Sequence, residues 1–254
     1  IRGSLYLAVL LTATIFAAAT GIVGSSVTLL GVMAAPAMKR SGYDIRMSAG
    51  AITAGGTLGI LIPPSVMLIV MGPVVGVPAT DLFAAAVIPG LLLASLYIVY
   101  TLVRSYINPA LGPALPPEER AGSLGEVVRE LVLGIAPVVV VIFATLGVIL
   151  AGIATPTDAG AVGAFAVLLL TLAYRRMTWT GFRSAVYSTL LTSCMILLLV
   201  AASNYFGSIF SRMGSASLIA ESLLGLDLPP TVMLLLILGI IFVLGWPLEW
   251  VPIV

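Results

Sequence analysis

The chain has 254 residues, of which 61% are hydrophobic and 8% are charged, and its formal net charge is +1. Soluble domains carry about 25% charged residues, so the few charges of this chain cannot cover the surface of a soluble protein. Lipid must therefore surround most of the surface of the protein. The composition therefore excludes a soluble enzyme, a nucleic-acid-binding protein and a disordered chain.

The first apolar segment runs from Gly3 to Met38 without a charged residue. As a single helix it would be about 54 Å long, too long for one crossing of a core about 30 Å thick and slightly too short for two. Its middle reads Thr20-Gly21-Ile22-Val23-Gly24-Ser25-Ser26, a helix-breaking patch. We therefore predict a re-entrant hairpin over about residues 3–38 that turns at Gly24-Ser25-Ser26. One tilted span followed by an interfacial helix is the alternative.

The second apolar segment, about residues 45–79, is interrupted by Pro63-Pro64. Tandem proline stops a helix because it removes backbone donors and fixes φ. The pattern predicts a discontinuous span over about 45–79, followed by a complete span over about 82–102. Together with the hairpin, these elements form the predicted core of a first repeat, residues 1–103. Asp44 is expected to cap the helix that begins at Ile45.

Residues 104–132 are the longest polar stretch, and we predict that they form a cytoplasmic amphipathic connector. Residues 133–254 are predicted to hold the following spans and the start of a second, inverted and truncated repeat. Gly245 begins a helix-breaking patch in the last apolar run, and Asp158 is expected in the first turn of a helix. Because both ends of the sequence are apolar, we expect it to be a piece of a longer membrane protein.

The basic residues indicate an orientation. When the predicted spans are followed in turn, every Lys and Arg except Arg212 falls on one side of the membrane, whereas Asp81 and Asp158 fall on the other. Short cytoplasmic loops are enriched in Lys and Arg, so the basic side is predicted to be cytoplasmic.

Several motifs resemble the large, DctM-like membrane subunit of TRAP transporters, a family in the ion transporter superfamily. They are GSS at 24–26, AMKRSGYD at 37–44, AITAGGTLGILIPPS at 51–65, LFAAAVIPGLLL at 82–93 and ATPTDAGAVGAFAV at 154–167. The last of these has Asp158 where the family usually has Glu. The family's first few helices and its second broken span do not appear in this sequence.

The resemblance implies an all-α polytopic membrane protein built from inverted repeats, with re-entrant helical hairpins and discontinuous helices. It also implies Na⁺ symport of an organic acid delivered by a periplasmic substrate-binding protein, through an elevator-like motion. The implied partners are a small TRAP membrane subunit, the binding protein and the lipid bilayer, with no nucleic acid. The implied location is the cytoplasmic (inner) membrane of a bacterium or archaeon.

Broken helices at membrane depth free carbonyls that suit Na⁺ and helix N-termini that suit an anionic substrate group. The predicted substrate-binding residues are Ser25, Ser26, Thr57, Pro63, Pro64 and Ser65. The predicted sodium ligands are Gly24, Ser25, Ser26, Gly56, Thr57, Gly59, Gly245 and Glu249. The structural alternative is that Gly and Ser only permit close helix packing, that Pro only kinks a helix, and that the last acid is interfacial.

Other functions fit the sequence less well. An intramembrane enzyme with Ser25 or Asp158 as nucleophile would need His, Lys or a second acid at membrane depth. The sequence has no His, and its sole Lys, Lys39, lies in a basic loop, so we predict that the chain is not an enzyme. A superfamily carrier that works without a binding protein and a non-transporting membrane scaffold subunit remain as alternatives.

Overall fold

The structure is a computed structural model that describes residues 2–21, 23–115 and 124–248. Across these ranges the chain is helical and contains no strand. Among the described helices, four are long and apolar enough to cross a membrane, and one bent helix pair meets the same criteria. The chain is therefore an all-α polytopic membrane protein, as the sequence predicts. It divides into two compact units, up to Arg176 and from Met177, which we describe separately.

The helices of each unit follow the apolar segments of the sequence. The first unit contains α1 (Ser4–Thr20), α2 (Val23–Arg40), α3 (Ile45–Leu61), α4 (Val66–Val75), α5 (Ala79–Ile107), α6 (Leu124–Ile142), a π-helical turn (Phe143–Gly147), α7 (Val148–Leu150) and α8 (Pro156–Ala173). The second unit contains α9 (Trp179–Arg212), α10 (Ser215–Leu224) and α11 (Pro230–Leu244).

Helices α1 and α2 form an antiparallel hairpin that packs along α3. At one end, the rings of Tyr6 and Tyr43 meet edge to face with centroids 4.9 Å apart. Further along, a Cβ placed on Gly55 would lie 2.8 Å from the Ala13 Cβ and 3.9 Å from the Leu30 side chain. Because glycine has no side chain, α3 can approach both arms of the hairpin at this level.

Helix α5 runs back along α3 and α4. Ala94 packs in one buried cluster with Leu58 and Ile62, and Phe83 packs in another with Leu68. A Cβ on Gly90, in the middle of α5, would lie 2.9 Å from the Ile62 side chain. This close approach places the middle of α5 directly against the break between α3 and α4.

Two acidic residues lie at helix starts, as the sequence predicts: Asp44 as a cap and Asp158 in a first turn. The Met47 N–H donates a hydrogen bond of 2.8 Å to the Asp44 carboxylate, which caps α3. Asp158 lies in the first turn of α8, and its N–H donates to the Thr155 hydroxyl at 3.2 Å. That hydroxyl in turn donates to the Asp158 carboxylate at 2.6 Å, so the side chain has a local structural partner.

The hairpin turns earlier than the sequence predicts. Helix α1 ends at Thr20 and α2 begins at Val23, so Gly24-Ser25-Ser26 lies in the first turns of α2. Gly21, inside the predicted helix-breaking patch, has a φ of +60°, a backbone conformation that glycine adopts readily, and it therefore ends α1 before Gly24 is reached. Serine near a helix start is well tolerated, which explains why Gly24-Ser25-Ser26 remains helical.

The predicted connector is described in part. Residues 116–123 lie outside the described residues, and α6 runs without interruption from Leu124 into the apolar span Val132–Leu150. The C-terminal end of the predicted connector is therefore helical and continuous with the next candidate span. Continuous helical hydrogen bonding explains this, because no Pro or Gly pair interrupts residues 126–133.

The second unit contains one long apolar helix and two shorter ones, with little internal packing. At 34 residues, α9 is about 51 Å long, more than one membrane crossing requires. No residue of α9, α10 or α11, which are all among the described residues, is buried. Cys194 is exposed on α9. Gly245 caps the C-terminal end of α11, as the predicted helix break requires, whereas Glu249 lies outside the described residues.

Candidate functional site at the hairpin tip and the helix break

The loop of the hairpin lies against the break in the second span. A Cβ added to Gly21 would lie 3.2 Å from the Pro64 carbonyl oxygen and 3.7 Å from the backbone nitrogen of Val66. Any larger residue at this position would push the loop away from the break and would strain a backbone with positive φ. The hairpin loop and the break between α3 and α4 therefore meet at one point in the first unit.

The break leaves carbonyl groups that the helix cannot satisfy. In an α-helix the Gly59 and Ile60 carbonyls would accept from the N–H groups four residues later, but Pro63 and Pro64 have none. The Ser65 hydroxyl, which is fully buried, donates to the Ile60 carbonyl at 2.5 Å. For the Gly59 carbonyl, the residue four positions later is Pro63, which has no N–H to donate. This carbonyl is therefore chemically suited to bind a cation.

The direction of the chain changes at this break. Helices α3 and α4 are bent by 42° relative to each other, and Ser65 adopts an extended conformation before α4 starts at Val66. The Ile62 N–H closes α3 by donating to the Leu58 carbonyl at 2.8 Å. The C-terminal end of α3 and the N-terminal end of α4 thus lie four residues apart. Such half-helix ends carry partial charges of opposite sign.

The start of α2 packs tightly on α3. A Cβ on Gly56 would lie 2.2 Å from a Val27 methyl group and 2.9 Å from the Val27 backbone nitrogen. Ser26, the neighbour of Val27, is only 2% exposed. Thr57 is half-buried, and its hydroxyl donates to the Ala54 carbonyl at 2.7 Å, which leaves its oxygen available as an acceptor.

The structure brings together one part of the predicted site. Residues of the first turns of α2, the last turns of α3 and the break lie in one packed region; of the predicted residues these are Ser26, Gly56, Thr57, Gly59, Pro63, Pro64 and Ser65.

Four other predicted residues lie elsewhere or outside the description. Gly24 and Ser25 are exposed, and the Gly24 carbonyl accepts a hydrogen bond of 2.7 Å from the Thr28 hydroxyl. Gly245 belongs to the second unit, and Glu249 is not among the described residues. The packed part of the candidate site therefore comes from the first unit.

Sequence reasoning missed two contacts that shape this site. Gly21, which supplies the contact with Pro64, and Gly90 on α5 are not among the predicted site residues. A signal for the close packing exists in α3, where Gly55 and Gly59 form the small-xxx-small spacing that permits helices to approach. The same signal marks Gly90, because Ala86 and Ala94 stand four residues before and after it and all three are buried.

A second set of contacts joins the other ends of these helices. The Leu111 carbonyl, after α5, accepts hydrogen bonds from the Tyr6 hydroxyl at 2.6 Å and from the Asp44 N–H at 3.2 Å. The Gly3 N–H donates to the Gly112 carbonyl at 3.0 Å. We call this set the clasp. It ties the hairpin, α3 and the end of α5 to one another far from the break, so the site is built on a connected frame.

The fold and the site define a polytopic membrane protein with a helical hairpin packed on a broken helix. Residues 1–254 match the family of the tripartite ATP-independent periplasmic transporter, DctM component. The chain belongs to this family, the large permease subunits of TRAP transporters.

Curated relatives agree with this assignment. The chain is 30% identical over 246 residues to the C4-dicarboxylate TRAP transporter large permease protein DctM of Pseudomonas aeruginosa, covering 96% of this chain and 56% of the relative. It is 27% identical over 248 residues to the 2,3-diketo-L-gulonate TRAP transporter large permease protein YiaN of Escherichia coli, covering 95% and 56%. It is 29% identical over 248 residues to the isethionate TRAP transporter permease protein DctMQ of Oleidesulfovibrio alaskensis, covering 97% and 38%.

The chain spans little more than half of the length of the curated large permease proteins that it matches. All of these relatives are named as permease proteins of transporters rather than as enzymes. The membership therefore establishes a transporter permease subunit.

Proposed function

We propose that this chain forms part of a secondary active transporter that couples Na⁺ entry to the uptake of an organic acid. The observation that carries the proposal is the contact between the hairpin loop at Gly21 and the helix break at Pro64. Helix breaks at membrane depth are built where ions and substrates bind, because they expose carbonyl groups and helix ends inside the membrane. The hairpin is then a re-entrant element rather than a pair of full spans.

Residues of the packed region have distinct roles in this proposal. The Gly59 carbonyl and the oxygens of Ser26 and Thr57 serve as ligands for Na⁺, a hard cation that binds oxygen. The N-terminal end of α4, which follows Ser65, attracts the anionic group of the substrate through its partial positive charge. Relatives named for C4-dicarboxylate, 2,3-diketo-L-gulonate and isethionate support an anionic substrate.

The complete transporter in this proposal has three components. A small TRAP membrane subunit joins the permease, and a periplasmic substrate-binding protein delivers the organic acid. The permease lies in the cytoplasmic (inner) membrane of a bacterium or archaeon, and the packed first unit supplies the part that moves in an elevator-like transport cycle. The four candidate spans among the described helices agree with a multi-pass location.

Uptake into proteoliposomes tests the proposal. The full-length permease, its small subunit and the binding protein are reconstituted, and uptake is measured with an inward Na⁺ gradient and with K⁺ in its place. Uptake should require both Na⁺ and the binding protein. Uptake at the same rate with K⁺ in place of Na⁺ would contradict Na⁺ coupling. Uptake without the binding protein would favour another carrier of the superfamily. A lack of uptake under all conditions would favour a non-transporting scaffold subunit.

Neighbouring serines provide a matched test of the ion site. Ser26→Ala should raise the Na⁺ concentration for half-maximal uptake about tenfold, the effect of losing roughly 1.4 kcal/mol from one ligand. Ser25→Ala removes the same group from an exposed position and should leave the Na⁺ dependence unchanged. Equal effects of the two substitutions would remove Ser26 from the proposed site.

The break itself is tested by restoring a donor. Pro63→Ala returns an N–H that can bond the Gly59 carbonyl, so the carbonyl would no longer be available to Na⁺ and the Na⁺ requirement should rise. Pro36→Ala, an exposed position inside α2, is the control for removing a helical proline. An unchanged Na⁺ requirement in Pro63→Ala would show that the freed carbonyl is not a ligand.

A further inference from the structure

A groove unrelated to the hairpin tip opens beside the clasp. It has a volume of about 700 Å³ and is lined by the first half of α3, the second half of α5 and Leu10 of α1. Volumes of about 300–1,000 Å³ are typical of sites that hold small molecules. We infer that this groove binds the headgroup and the upper acyl chain of an anionic phospholipid from the cytoplasmic leaflet.

The mouth of the groove carries positive charge. Arg46 on α3 and Arg104 on α5 both line it, and both side chains are exposed. One acid, Asp44, also lines the groove, so the two arginines and this carboxylate leave the lining with a net charge of +1 (2 − 1). Two guanidinium groups on facing helices can share the oxygens of one phosphate, which is the planar, multidentate recognition that arginine favours.

The interior of the groove is apolar and runs parallel to the helices. Below the arginines it is lined by Ala51 and Ala54 on α3 and by Tyr97 on α5. Ala54 lies eight residues beyond Arg46, which corresponds to about 12 Å along the helix axis. A charged group at the mouth and an apolar trough of this length match the headgroup and the first part of an acyl chain, whereas a free anion would leave the trough empty.

The position of the groove in the membrane agrees with this occupant. Its charged mouth lies at the basic end of the first unit, beside the loop between Arg40 and Asp44, which the positive-inside rule assigns to the cytoplasm. Tyr100 also lines the groove, and tyrosine rings favour the headgroup level of a bilayer. The cytoplasmic leaflet carries anionic lipids that basic pockets between spanning helices recognise. Charge therefore favours a lipid over an apolar protein helix as the occupant.

Titration of lipid onto the full-length permease in detergent tests the proposal. Native mass spectrometry would follow phosphatidylglycerol, phosphatidylcholine and inorganic phosphate separately. We expect one tightly retained phosphatidylglycerol and much weaker retention of phosphatidylcholine. Arg46→Gln combined with Arg104→Gln should weaken phosphatidylglycerol binding about 30-fold, which corresponds to about 1 kcal/mol per arginine. Arg2→Gln combined with Arg40→Gln, outside the groove lining, should not change it.

A second variant keeps the charges and removes the space. A Cβ on Gly50, which lines the groove, would meet no described atom within 4 Å, so Gly50→Leu fills the groove and also favours helix. It should abolish tight retention of phosphatidylglycerol although both arginines remain. Equal binding of the two lipids, retention unaffected by either variant, or displacement of the lipid by inorganic phosphate would overturn the proposal. The proposal would also be overturned if another segment of the full-length permease fills the groove, because no lipid would then bind there.

Discussion

The spans α5 and α9 are similarly apolar, but they differ in how much of each helix is buried. In the most apolar 18-residue stretch of α5, 22% of the residues are buried, whereas in the corresponding stretch of α9 none is. The difference follows from their neighbours. Helix α5 meets Ile62 closely at Gly90 in the first unit, whereas the described helices of the second unit do not pack on α9 tightly enough to bury one of its residues. Hydropathy therefore identifies spans but not their packing: α5 packs through a small residue at Gly90, whereas α9 has Ser203, Gly207 and Ser211 at the same four-residue spacing and buries none of them.

This comparison separates two kinds of apolar surface. In the first unit, apolar side chains such as Leu58 and Phe83 are fully buried by neighbouring helices of the same chain. In the second unit, large side chains such as Leu197 and Phe206 are about 70% exposed, with values of 68% and 69%. Lipid or a protein partner must cover such faces in the membrane. Substitutions in the two units should consequently have different effects on stability.

The largest effect is expected at a glycine contact. Gly56→Ala would place a Cβ 2.9 Å from the Val27 backbone nitrogen, which cannot move as a flexible side chain can, so the free energy of unfolding should fall by about 3 kcal/mol. Gly207→Ala in α9 is the control, because its Cβ would meet no described atom within 4 Å. It should raise the free energy of unfolding by up to about 1 kcal/mol. Unfolding in mixed detergent micelles followed by circular dichroism measures both.

A smaller difference is expected between two leucines. Leu58→Ala creates a cavity beside Ile62 and Ala94 and should lower the free energy of unfolding by about 2 kcal/mol, near the low end for buried leucines, because lipid is as apolar as leucine. Leu197→Ala removes a 68% exposed side chain and should change it by less than about 0.5 kcal/mol. The same unfolding measurement applies, and equal losses would show that α9 is packed as tightly as α3.

Local chemistry makes part of this fold predictable. Pro63-Pro64 predicts the break because proline removes helical donors wherever it stands, and Asp44 predicts a cap because its partner is only three residues away. The sequence predicts the hairpin turn too late in the chain because Gly21 and Gly24 are both able to end a helix. The positive φ of Gly21, which depends on the contact with Pro64 across the fold, decides between them.

The sequence predicts which chemical groups form the candidate site but not which residues supply them. Freed carbonyls and hydroxyls beside a helix break can be read from the sequence, whereas the choice between Ser25 and Ser26 depends on which face of α2 meets α3. Adjacent residues on a helix point about 100° apart, so packing buries one serine and exposes the other. That packing is set by Val27 against Gly56, two residues that are distant in the sequence.

An intermediate effect is expected at the cap of α3. Asp44→Ala removes the acceptor for the Met47 N–H and should lower the free energy of unfolding by about 1 kcal/mol. Asp44→Asn retains a capping oxygen at the same position and should recover most of this loss. A loss of equal size in both variants would mean that the charge of Asp44, rather than its capping hydrogen bond, stabilises the start of α3.

The smallest effect is expected at the clasp. Tyr6→Phe removes the hydroxyl that donates to the Leu111 carbonyl at 2.6 Å, but that carbonyl keeps the hydrogen bond from the Asp44 N–H. Since the acceptor retains a partner and the ring still packs on Tyr43, the free energy of unfolding should fall by only about 0.5–1 kcal/mol. Tyr106→Phe, at a 55% exposed position on α5, should have no measurable effect. If Tyr6→Phe were as damaging as Gly56→Ala, the clasp rather than the glycine contacts would hold the hairpin on α3, and the contrast between packed and exposed spans would need another cause.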